Sequence, residues 1–175
     1  TAYLEAGADI IETNTFNANS ISQSDYGLEK YVFDINFQSA KIAKKAVTKF
    51  NKKNKDIKFV CGSIGPTNRT ASLSPKVEDL SFRNITFDEL YDAYYEQVDG
   101  LVQGGVDLLM IETIFDTLNS KAAIIAIDDY LRKNNVEIPL MISVTIVDKS
   151  GRTLSGQTLQ AFWHRCNTPS GRFAR

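Results

Sequence analysis

Four short apolar segments of this chain run out into side chains that could hold a polar substrate. Their ends read Glu12-Thr-Asn-Thr-Phe16, Gly62-Ser-Ile-Gly-Pro-Thr-Asn-Arg-Thr70, Glu112-Thr-Ile-Phe-Asp116 and Ser143-Val-Thr-Ile-Val-Asp148. Carboxylates, amides and hydroxyls placed this way suit a polar pocket, because a carboxylate at a strand end can pair with an ammonium group. Glu112 is the sharpest candidate. It follows Met110 and Ile111, and a carboxylate buried beside them is costly without a cation or hydrogen-bond donors to meet it. It either receives a cationic substrate group or takes N–H bonds within its own turn. Asp116 stands where a helix over Leu118–Leu131 needs an N-cap, a position that Asp fills well, and is assigned to structure. Asn14 either orients a substrate or braces its turn through an Asx-type hydrogen bond.

Other chemistries have little to work with. Gly62-Ser-Ile-Gly-Pro-Thr67 follows a strand but matches neither glycine-rich phosphate motif, and Pro66 removes an N–H that a phosphate cradle would use. Gly62 and Gly65 are read instead as permitting tight backbone turns. His164 is the only histidine, and it lies in a C-terminal stretch without periodicity. A zinc site needs three or four Cys or His ligands. Cys61 sits inside a strand and Cys166 in the same stretch as His164, so they read as a core thiol and an incidental one.

The elements that must position these residues follow from hydrophobic pattern. Ala8–Thr13, Lys58–Ser63, Val106–Thr113 and Ile138–Thr145 are short and β-branched without clean alternation, as strands buried on both faces of a parallel sheet are. Helical stripes separate them. Leu28, Tyr31, Val32, Ile35, Ile42, Ala43 and Val47 form the first; Phe87, Leu90, Tyr91, Tyr94, Tyr95, Val98, Leu101 and Val102 the second; Leu118, Ala122, Ile125 and Leu131 the third. Thr86 and Glu89 make a capping box, and Gly104-Gly105 closes the second helix. A further helix begins near Leu159–Trp163. Ala6-Gly-Ala-Asp-Ile-Ile-Glu-Thr13 echoes Gly104-Gly-Val-Asp-Leu-Leu-Met-Ile-Glu-Thr113, a repeated plan of helix-ending glycine, strand-opening Asp and strand-ending Glu-Thr. Strand–helix alternation with such an echo fits right-handed βα units of a (β/α)8 barrel better than a doubly wound sheet.

The chain has 175 residues and a net charge of −1, with 20 Lys+Arg facing 21 Asp+Glu, so a basic nucleic-acid footprint is missing. No apolar run approaches the roughly 20 residues that span a bilayer. Two cysteines make no disulfide framework, and a reducing cytoplasm is the expected setting. Thr1 and the Tyr3–Gly7 helix ending lead us to expect a fragment.

Five blocks carry a resemblance: Gly7–Phe16, Gly65–Pro75, Phe82–Phe87, Ile111–Asn119 and Ser150–Gly156. Together they resemble the homocysteine-binding domains of cobalamin-dependent methionine synthases, within the homocysteine S-methyltransferase superfamily. The likeness runs from residue 1 to Phe162. It implies a (β/α)8 barrel, with strands two to five in this chain, that presents homocysteine as a zinc-bound thiolate. It further implies that the methyl group comes from methylcobalamin, recharged by methyltetrahydrofolate on other domains of the polypeptide. It implies that Glu112 holds the homocysteine amino group, that Thr13 and Asn14 border the pocket, and that Ser143 and Thr145 face the same mouth. The zinc cysteines of the family are expected beyond the end of this chain. Neither Cys61 nor Cys166 matches a ligand position, so the chain alone is expected to be inactive. Residues 163–175 are expected to be foreign to the fold. The rival readings are a cobalamin-independent homocysteine methyltransferase using betaine or S-methylmethionine, and a non-catalytic half-barrel module.

Overall fold

The computed structural model describes residues 1–54, 56–147 and 149–166. In chain order these form α1 (Ala2–Glu5), β1 (Ile10–Glu12), α2 (Ser20–Gln23), α3 (Val32–Asn51), β2 (Phe59–Ile64), α4 (Phe87–Gly104), β3 (Leu108–Ile114), α5 (Thr117–Asn134), β4 (Leu140–Val144) and α6 (Leu159–Cys166). The four strands lie side by side in the order β1-β2-β3-β4, every pair parallel, as expected for consecutive βα units.

One plan ends three of the helices that feed strands, α1, α4 and α5, while α3 ends at Lys52 in a right-handed conformation. After α1, the N–H of Gly7 bonds to the Leu4 carbonyl and that of Ala8 to Tyr3; after α4, Gly105 bonds to Val102 and Val106 to Leu101; after α5, Asn135 bonds to Arg132 and Val136 to Leu131. These paired bonds are Schellman motifs, and they need a left-handed residue at the turn. Gly7, Gly105 and Asn135 supply it, with φ of 103°, 93° and 52°. The echo seen in the sequence is therefore a repeated helix-to-strand junction. Its two aspartates tie neighbouring units together: Lys58 Nζ meets Asp9 at 2.7 Å, while Asp107 pairs with Lys44 and accepts the Val60 N–H at 2.8 Å. At the other end of α4, the Thr86–Glu89 capping box is present.

The register gives the sheet two unlike faces. Ile11, Val60, Ile64, Leu109, Ile111, Leu140 and Ile142 share one face, and they pack in a core with Leu90, Val98, Leu101, Ala123, Ile124 and Ile127 of α4 and α5. Burying such side chains contributes roughly 1.5–3 kcal/mol each before entropy is counted. Among the described residues no helix covers the opposite face, and Ile10, Phe59 and Met141 on it stay more than 40% exposed.

The stripe expected on α3 needs correction. Leu28 and Tyr31 belong to 3-10 turns and loops before the helix and are exposed, and Ile42 is 70% exposed. The buried face is Val32, Asn36, Ser39, Ala40, Ala43 and Val47. The reason is close packing on α4, where a Cβ added to Gly104 would come within 2.4 Å of Ala40 Cβ, so small and polar side chains occupy the seam. At the C-terminal side, Trp163 to Cys166 continue α6, with Phe162 and Cys166 buried, so Cys166 is a packed residue and not an incidental one. Residues 167–175 lie outside the described residues.

Candidate functional site

The helix-free face presents a row of polar groups towards the C-terminal ends of the strands. Glu12 pairs in register with Cys61, Ser63 with Met110, and Met110 with Met141. Alternation then sets Glu12, Cys61, Ser63, Glu112 and Ser143 on this one face. In a (β/α) barrel that face is the barrel interior, and its C-terminal rim is where active groups sit.

Glu112 is held there by its backbone and by one side chain. The β3–β4 register slips between Ile111 and Ile114, so that β3 carries an extra residue, a bulge of the kind that re-aims side chains beside functional sites. Thr113 within it has φ of 55°, a strained conformation for a β-branched residue. The Ser63 hydroxyl donates to Glu112 Oε1 at 2.5 Å. Of the two readings of Glu112, the bond that the structure shows comes from a neighbouring strand.

Ser63 is itself clamped. Its N–H donates to Thr13 Oγ1 at 3.0 Å, and Thr15 Oγ1 donates to the Ser63 carbonyl at 2.7 Å. The two threonine hydroxyls lie 2.6 Å apart, and since the Thr15 proton is committed to Ser63, Thr13 is the donor between them. Gln97 of α4 anchors the ring by donating to the Thr15 carbonyl at 2.8 Å. Thr13 is thus buried as a brace, whereas Asn14 beside it is exposed at the rim. Ser143 is exposed on β4, and Thr145 is half-buried just past it, its N–H bonded to the Ile114 carbonyl at 2.8 Å. Asp148 lies outside the described residues.

Electrostatics separate the titratable groups. Burial, then the charge of Glu112, raises the Glu12 carboxyl above the usual carboxylate range. Burial pushes the Cys61 thiol up to about 12, helped by Glu12 and Glu112. Among the described residues, no three His, Cys, Asp or Glu side chains come together to hold a metal ion.

Asp116 caps α5 as expected, accepting the Leu118 and Asn119 N–H groups at 2.8 and 3.3 Å. It also accepts the Ser72 N–H and hydroxyl, at 3.0 and 2.6 Å. Asn119 completes the link: its amide donates to Thr67 Oγ1 and the Arg69 carbonyl and accepts the Ala71 N–H. The Gly65–Pro75 and Ile111–Asn119 blocks are therefore two halves of one rim. Gly65 serves this rim by proximity and not by a turn. A Cβ there would lie 2.4 Å from the Phe16 carbonyl oxygen, whose bond from Gly65 N–H joins the β1 and β2 loops at 2.8 Å. Gly62 likewise makes room, for Leu109 and Leu101. Ser63, Thr15 and Glu12 were not singled out by sequence reasoning; a serine inside an otherwise apolar strand was the available signal for the first.

A parallel sheet of successive βα units, helices on one face and polar strand ends on the other, is part of a TIM-barrel-type α/β fold. The model of the homocysteine S-methyltransferase family matches residues 1–173, and the chain belongs to that family. The homocysteine methyltransferase MmuM from Escherichia coli in its metallated form is similar in structure, with a TM-score of 0.72 at 23% identity, covering 93% of this chain and 55% of that one. Its oxidized form gives 0.71 at 24% identity, over 90% and 52% of the two chains. Likeness at these identities establishes the shared fold. The chain spans about half the length of these structures.

Proposed function

We propose that this chain is the homocysteine-binding part of a cobalamin-dependent methionine synthase, and that Glu112 receives the ammonium group of homocysteine. What supports the reading best is the position of Glu112: a strand-end carboxylate on the helix-free face, with Oε1 occupied by Ser63 and its second oxygen, among the described residues, left to meet a cation. Family membership supplies the substrate class. Asn14, Ser143 and Thr145 border the same rim in this reading, and Thr13 acts through Ser63. The thiol sulfur of homocysteine loses its proton to solvent and takes the methyl group, giving methionine, while the donor keeps the electron pair of its broken bond to the methyl carbon. The donor is methylcobalamin, recharged from methyltetrahydrofolate on other domains, and the Gly65–Phe87 block is the feature that favours it over betaine or S-methylmethionine. Zinc enters only through the family. The described residues do not assemble a ligand set for it, and the chain alone is expected to bind neither zinc nor thiol stoichiometrically.

The test uses the polypeptide that carries this chain, with labelled methyl donors offered separately. Methionine forms from methylcobalamin, and Glu112→Gln lowers kcat/KM for homocysteine by about 10- to 100-fold, as loss of a charged hydrogen-bonding partner does. Methyl transfer from betaine or S-methylmethionine would overturn the donor assignment. An unchanged kcat/KM in Glu112→Gln would overturn the role of Glu112.

A further inference from the structure

We infer that Ser63 is a positioning residue for Glu112, setting the direction in which that carboxylate meets an amino-acid ammonium group; this rests on the reading of Glu112 above. The inference comes from the direction of the hydrogen bonds. Ser63 N–H is spent on Thr13, Thr13 O–H on Thr15, and Thr15 O–H on the Ser63 carbonyl. Every backbone group of Ser63 is thereby fixed by the end of β1, and its hydroxyl has one use, donation to Glu112 Oε1 at 2.5 Å. The hydroxyl is buried, so water does not compete for it.

Glu112 needs such a hold. Its main chain passes through the bulge at strained Thr113, and its side chain has no other hydrogen bond among the described residues to choose a rotamer. A free glutamate side chain carries rotamer entropy that a ligand would otherwise have to remove. Ser63 removes part of it beforehand, and it does so only for a ligand group that uses Glu112. The consequence is selective: Ser63 matters for substrates with an α-ammonium group and not for those without one.

The experiment has two arms on the polypeptide that carries this chain, using Ser63→Ala and Ser63→Thr. In the first, side-chain scalar couplings of Glu112 are measured without ligand. One rotamer is expected in the wild type and in Ser63→Thr, and averaging in Ser63→Ala; a single unchanged rotamer in Ser63→Ala overturns the inference whatever the substrate proves to be. In the second, KM is compared for L-homocysteine and for 4-mercaptobutanoate, which lacks the amino group. Ser63→Ala should raise KM about tenfold for homocysteine only, with kcat within about twofold, and Ser63→Thr should restore it. Equal changes for both thiols would reduce Ser63 to a structural role and overturn the inference. A wild type that does not distinguish the thiols would sink the ammonium reading of Glu112 instead, while the rotamer arm still decides whether Ser63 positions it.

Discussion

Glu12 and Glu112 stand on the same face of the sheet at the ends of β1 and β3, and the charge of Glu112 adds to burial in raising the Glu12 carboxyl above the usual carboxylate range. The folded chain therefore holds a proton on Glu12 at pH values where the unfolded chain has lost it. Between the two pKa values the folded state binds more protons, so stability falls as pH rises through that window and stays lower above it. Glu12→Gln abolishes this titration. Its melting temperature should exceed that of the wild type near about pH 7, and the gap should close towards about pH 4. A gap that does not change with pH would show that folding does not raise the Glu12 carboxyl.

Thr113 offers a second test, because its backbone is held where a β-branched side chain is disfavoured. Its φ of 55° lies in the left-handed region, which Asn enters far more readily, and its side chain is exposed. Thr113→Asn should stabilise the chain by about 1 kcal/mol in urea titration, the lower end of the strain such residues store. Thr113→Val keeps the branched shape and should give no gain. Equal stability in all three would mean that the bulge carries no strain to release.

Most of the scaffold was legible in the sequence because its signals are local. The capping box at Thr86 and Glu89, the cap at Asp116 and the glycines at 7 and 105 each act within a few residues of themselves. The strand ends carried Glu112 into view for the same reason. Ser63 escaped notice because its meaning lies 49 residues away, in a hydrogen bond that only strand register can create. The bulge escaped because a β-branched Thr in an apolar strand predicts extended backbone. Ile42 misled because it keeps helical spacing with Ile35, seven residues before it, while the true seam of α3 is set by Gly100 and Gly104 on α4, which admit Asn36 and Ala40 at close range. Packing between helices decided that face, and a single stripe does not contain it.

Cys61 lies on the site face but lacks the chemistry of a ligand or nucleophile, and that difference can be measured. A thiol serves either role as the thiolate. Burial, with Glu12 and Glu112 nearby, pushes the Cys61 pKa up to about 12, leaving about one thiolate in 10⁵ at neutral pH. Cys166 is also buried against α5, its Sγ 3.5 Å from Ser120 Oγ, and burial raises its pKa too. Neither should react with iodoacetamide in the folded chain near neutral pH, and both should react once urea unfolds it, as counted by intact mass. Glu12→Gln removes one of the charges acting on Cys61 but none of its burial, so Cys61 should stay protected in that variant as well. Rapid alkylation of native Cys61 would mean that the thiol is accessible and ionised, and would return it to consideration as a working group of the site.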